Sequence, residues 1–158
     1  MSAGSNPTKP FGAAQNEIEI AIAAPIDKVW RALTQELSSW WPKSFCLDPK
    51  RARGFHMEFK LNGRMYEDWG DGDGWLWWTI YKIDSANHTF SGGGYESPLA
   101  IHTWEFSLKS EGETTTLHIR DGHWGAIEVE QTVKAHEGGW NELFVGAFKP
   151  YVERTAPA

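Results

Sequence analysis

Residues 131–153, QTVKAHEGGWNELFVGAFKPYVE, decide the fold: Val133, Trp140, Leu143, Phe144, Ala147, Phe148 and Tyr151 recur at intervals of three, four and seven. That spacing places them on one side of a long amphipathic helix, with an apolar stripe that has to be covered. Whatever covers it must lie upstream, where the pattern changes from helical to alternating.

Between residues 55 and 120 the chain reads as strands: 55–61, 64–70, 75–84, 88–93, 101–109 and 114–120. Asn62-Gly63, residues 71–74 and Ser110-Glu111-Gly112-Glu113 supply turns, because Asn, Asp and Gly tolerate positive φ. Ahead of this meander, Glu17 to Ala23 alternates with Ile18, Ile20 and Ile22 on one side, the period of a half-buried strand. Ile26, Val29, Trp30 and Leu33 then recur at helical spacing, and a short helix from Glu36 to Trp41 is stopped by Pro42. The order predicts an α+β helix grip: a curved antiparallel sheet wrapped around the C-terminal helix, with two short helices after the first strand.

The bulk numbers bound the function. The chain of 158 residues suits one domain, and 15 basic against 21 acidic side chains give a formal charge of -6. That charge repels polyphosphate and anionic lipid, so neither a nucleic-acid nor a membrane partner is expected. No apolar run is long enough to insert in a bilayer. Cys46 has no cysteine to pair with, which fits a reducing compartment, so the cytoplasm is the expected location. Residues 1–16 and 155–158 are expected to be disordered tails around a single domain spanning 17–154.

Three segments, AAPIDKVWRALT at 23–34, GRMYEDWGDGDGWLWW at 63–78 and GWNELFVGAFKPYVE at 139–153, resemble the START-like, Bet v 1-like (SRPBCC) superfamily. Within it, the chain is most similar to the branch related to the activator of Hsp90 ATPase. The resemblance covers about Glu17 to Glu153 and implies a hydrophobic pocket between sheet and helix. It also implies a chaperone contact as one alternative, and it is compatible with a homodimer. Where relatives read WLWG, this chain has Trp75-Leu76-Trp77-Trp78, which would narrow a pocket at that point.

The chemical signals are sparse. Asp71, Asp73 and Gly74 resemble the start of a calcium loop, but the twelfth position is Lys82, where a bidentate acid is required, so a hairpin turn is the better reading. Of Glu67 and Asp68, consecutive strand residues, at most one points inward. If that one is Glu67, burial would raise its pKa and make it an acid or a ligand partner; otherwise it is an edge carboxylate paired with a cation such as Arg64. The six histidines show no metal spacing, and no metal or cofactor is expected. His102 shares parity with Trp104, Phe106 and Leu108 and is expected to face inward, though no partner acid is identifiable for it.

Ten Trp, eight Phe and four Tyr remain. An empty void of about 300 Å³ would cost roughly 7 kcal/mol, so a pocket here is expected to be wet, occupied or partly plugged by rings. The candidate lining is Trp69, Trp78, Trp104, Trp140, Phe144 and Tyr151, with Glu67 and His102 as its polar groups. The function expected is non-enzymatic binding of a small hydrophobic or aromatic molecule. The alternatives are a cyclase or hydratase using Glu67 or His102 in the same cavity, and a protein-interaction domain.

Overall fold

A computed structural model of the chain describes residues 9–154; of the tails expected at 1–16 and 155–158, residues 1–8 and 155–158 lie outside the described residues. Seven strands pair in one antiparallel sheet of order β1-β7-β6-β5-β4-β3-β2. They are β1 (Phe11–Ile22), β2 (Gly54–Met57), β3 (Arg64–Gly70), β4 (Asp73–Asp84), β5 (Thr89–Ser97), β6 (Ala100–Glu111) and β7 (Thr114–Ala126). Helices α1 (Ile26–Gln35) and α2 (Leu37–Trp40) follow β1 and carry the chain to the far edge of the sheet. The C-terminal helix runs through α3 (Val129–Trp140), a π-helical middle (Asn141–Phe148) and α4 (Lys149–Arg154). The expected helix-grip architecture is the one observed.

The apolar stripe lies on the sheet as its period requires. Trp140, Leu143, Phe144, Phe148 and Val152 share one core with Ile20, Ile22, Trp78, Phe90, Trp104, Phe106, Leu117 and Ile119. Leu33 and Trp40 close that core from α1 and α2. The stripe does not run as uniform α-helix, because the middle eight residues hydrogen-bond five apart instead of four.

Two boundaries differ from the sequence reading. β1 begins at Phe11, six residues before the alternation becomes visible, because residues 11–16 complete a ladder with 121–126 of β7. The inward positions there are Gly12, Ala14 and Asn16, too small or too polar to announce a buried face. For the same reason β7 continues past Arg120 to Ala126, and its inward positions Asp121 and His123 are polar.

The hairpin between β3 and β4 turns at Asp71 and Gly72, both at positive φ (57° and 88°), which matches the two-residue turn whose twist suits paired strands. This confirms the turn reading of the aspartate-glycine run. Four breaks interrupt the ladders, one of them at Tyr81 between β4 and β5. Trp69 and Trp77 fall at register shifts between β3 and β4, and Glu96 falls at one between β5 and β6, each left without an opposite residue. At Trp77 the bulge re-aims a side chain that alternation from Trp78 would send the other way.

Candidate functional site

A cavity of about 390 Å³ opens between the sheet and α3. Its sheet side is Trp75, Trp77 and Trp78 of β4, Tyr95 and Glu96 of β5, and His102 of β6. The loop after α2 adds Trp41, Phe45 and Leu47, and the helix adds Ala135, His136, Gly139, Trp140 and Leu143. The mouth lies among Leu47, Trp75 and Tyr95, which are 51%, 38% and 71% exposed. A side chain built at Gly139 would meet nothing within 4 Å, so this glycine keeps the helix side of the chamber open.

Bulging explains how two consecutive tryptophans both reach this chamber. Trp78 stands on the inward face by alternation, and Trp77, skipped by β3, is turned toward the cavity as well. Their indole N–H groups serve two different centres. Trp77 donates to Glu67 Oε2 (3.1 Å) and Trp78 donates to His102 Nδ1 (3.3 Å). The tryptophan in place of the small residue of WLWG therefore forms the cavity floor, stacking on Trp140 with ring centroids 6.3 Å apart.

Glu67 is fully buried, as the inward alternative required. Its carboxylate accepts from the backbone N–H groups of Leu47 (2.6 Å) and Asp48 (2.8 Å) and from the indoles of Trp69 (2.8 Å) and Trp77. Burial alone would raise its pKa, but these four donors favour the charged form and bring it below the ordinary glutamate range. That corrects the expectation of a raised value. Arg64 is not its partner, since that guanidinium pairs with Glu58.

The second centre was not legible as a unit. His102 faces inward as its parity requires, and its missing acid is Asp121, with Nε2 3.3 Å from Oδ2. The same oxygen takes His123 Nε2 (3.2 Å) and the Trp140 indole N–H (2.5 Å), while Asp121 Oδ1 is buried with no partner among the described residues. An indole only donates, so His102 Nδ1 must offer a lone pair and Nε2 carries the hydrogen. Burial then holds the His102 pKa below the usual histidine value.

Glu96, on the same face of β5 as Phe90, Gly92 and Gly94, which pair with Phe106, Trp104 and His102, completes the group. Its Oε1 lies 3.0 Å from His123 Nδ1 and 3.2 Å from His136 Nε2. His136 reaches it from α3 and donates Nδ1–H to the carbonyl of Thr132 (3.0 Å). Burial works against the charges on His123, Glu96 and Asp121, but each sits beside its opposite. His123 is pushed up to about 9, and both carboxyls are held well below the usual carboxylate range.

Of the sequence-predicted site residues, the structure brings Trp78, His102 and Trp140 together on the cavity. Trp104 and Phe144 are buried in the core behind it, and Trp69 lies under the Arg51 guanidinium. Tyr151 is at the other end of the helix, donating to Glu36, and Glu67 anchors the loop behind Trp77. Glu96, Asp121, His123 and His136 were missed. The one available signal was the parity of Leu117, Ile119, Asp121 and His123, which continues the buried face of β7 through two polar residues.

No protein-family model and no curated protein matches the sequence. Solved structures do match, at low identity. Norcoclaurine synthase from Thalictrum flavum, in complex with dopamine and hydroxybenzaldehyde, superposes with a TM-score of 0.63 at 10% identity, covering 94% of this chain and 91% of that one. Ara h 8.0201 gives 0.65 at 14% identity, covering 89% and 98%. CalU16 from Micromonospora echinospora gives 0.61 at 17% identity, covering 95% and 86%. This likeness establishes the Bet v 1-like fold, and function has to be argued from the site.

Proposed function

We propose that this chain is a single START-like domain that binds a small aromatic or hydrophobic molecule in the cavity between the sheet and the C-terminal helix. One observation carries the reading: an open chamber of about 390 Å³ has aromatic walls on most sides and polar groups, Glu96, His102 and His136, at one side. Ligand chambers of roughly 300–1,000 Å³ with few convergent polar groups are the usual form of small-molecule sites. Trp78 and Trp140 would stack on a planar ligand, and Glu96 or His136 would take its hydrogen-bonding group. The neighbour solved with dopamine and hydroxybenzaldehyde supports a ligand of this class.

Titration with a panel of planar aromatic compounds, some carrying hydroxyl or amino groups, tests this by tryptophan emission and melting temperature. A quench and a rise in melting temperature are expected from at least one member, and Gly139→Leu should remove both by filling the chamber. No response from any member would overturn the reading.

A cyclase or hydratase reaction in the same chamber is the second reading, favoured by the position of His136. Its side chain is 31% exposed, it lines the cavity, and Thr132 fixes its Nδ1–H so that Nε2 points toward Glu96. His102 is less suited to proton transfer, because both its nitrogens are engaged. The kinship with the Hsp90-activator branch, a chaperone contact, a homodimer and a cytoplasmic location belong to the proposal as finer parts. Capture of a chaperone by the full chain would support the first two. Among the described residues no helix is long and apolar enough to cross a membrane.

A further inference from the structure

We infer that Glu96, His123 and His136 form a binding site for one divalent first-row transition metal ion at the polar wall of the cavity. The site was invisible to spacing rules because its three residues come from β5, β7 and α3. One donor atom from each of these residues and from His102 lies within 4.8 Å of all the others. The tighter set is Glu96 Oε1, His123 Nδ1 and His136 Nε2, with separations of 3.0 and 3.2 Å from the oxygen to the two nitrogens. Two ligands each about 2.0–2.1 Å from a tetrahedral ion lie roughly 3.3 Å apart, so little movement is needed to bring these atoms onto one.

The outward nitrogens of both rings are already spoken for. His123 Nε2 faces the Asp121 carboxylate and His136 Nδ1 donates to the Thr132 carbonyl. A carboxylate or carbonyl behind each imidazole is the arrangement that fixes the tautomer of a metal-bound histidine and aims the other nitrogen's lone pair at the ion. Here both aimed nitrogens converge on Glu96 Oε1. Yet the 3.0 Å approach of His123 Nδ1 is not a hydrogen bond, because the geometry is off line. His123 Nδ1 is therefore a buried nitrogen beside a carboxylate oxygen with no hydrogen-bond partner among the described residues.

The two rings stand with centroids 3.9 Å apart beside one carboxylate oxygen. Two imidazoles and one carboxylate are the donor set of zinc and of open ferrous sites, not of calcium or magnesium. His102 stacks flat on His123 at 4.2 Å with its own nitrogens held by Trp78 and Asp121, so it braces the site and is not one of the three ligands. Glu96 and His136 line the chamber, so the open coordination positions would face an oxygen donor of a bound molecule. In that respect the inference deepens the small-molecule reading, but the metal site stands on its own donors.

The test uses Co²⁺ and Zn²⁺ alone on the full chain after treatment with a chelator, with no organic ligand present, so its failure and that of the ligand titration are distinguishable. One equivalent of Co²⁺ should bind per chain with visible d–d bands, and Zn²⁺ should displace it. Glu96→Gln and His136→Ala should each weaken binding at least about 10-fold, as should Asp121→Asn behind His123, while His118→Ala, remote on β7, should change nothing. In the unmutated chain, Zn²⁺ should shift the imidazole resonances of His123 and His136 and leave that of His118 in place, a readout independent of whether any variant folds. Absence of Co²⁺ bands and of those shifts, or binding that survives Glu96→Gln and His136→Ala, would overturn the inference.

Discussion

Glu67 and Asp121 are both buried carboxylates of this sheet, and two consecutive tryptophans link them to the same cavity: Trp77 donates to Glu67, and Trp78 to the histidine held by Asp121. Their bonding differs. Both oxygens of Glu67 are used, by four donors that tie the loop after α2 to β3 and β4. Asp121 takes three donors on one oxygen and, among the described residues, none on the other, and the two histidines above it turn toward Glu96 and the chamber. A buried polar group with every valence filled holds structure together; one left partly unfilled beside a cavity has capacity to bind something else.

The comparison can be broken most directly at Glu67. Glu67→Ala would leave two partly buried backbone N–H groups and two indoles without their acceptor, and we expect a loss of about 4 kcal/mol, roughly 10 °C in melting temperature. A loss below about 1 kcal/mol would show that the loop does not depend on this carboxylate. Asp121→Asn keeps the volume and some of the bonding, so urea unfolding should show a smaller loss, about 2 kcal/mol.

Acid should act through Glu67 in the same direction. Its folded pKa lies below the ordinary glutamate value, so the stability it contributes is fully present above that value and is lost as pH falls through the folded pKa. Melting temperature should therefore drop on acidification, and Glu67→Gln should flatten that part of the profile. The smallest stability change is expected for His136→Ala, within about 0.5 kcal/mol, because this ring is partly exposed on the helix. Its effect should appear in binding at the cavity, which is the opposite of what Glu67→Ala should show.

The fold was legible because its signals are local. The stripe from Trp140 to Phe148 and the glycine turn at 71–72 each follow from a few neighbouring residues, and both are where the sequence places them. His102 was found by strand parity and Trp140 by helical spacing for the same reason. Trp77 was not, since it sits at a bulge, where alternation fails; Glu96 was not, since it follows three glycines that show no buried face and lies past residue 93, where the strand was expected to end. Asp121 and His123 were lost for a different reason: they are polar residues on a buried face, so the alternating apolar pattern ends before the strand does. The first failure falls on the cavity and the second just behind its histidines, the region where local rules are set aside to bring polar groups inside.

The π-helical stretch Asn141–Phe148 gives the clasping helix a further property. Each residue of an ordinary α-helix advances the side-chain direction by about 100°, so a segment with wider turns acts as a phase adjuster between the two α-helical ends. With α4 anchored through Val152, it sets the azimuth at which His136 and Trp140 meet the sheet. Removing a single residue from this stretch would leave the helix amphipathic to the eye and yet rotate the imidazole and the indole away from the chamber.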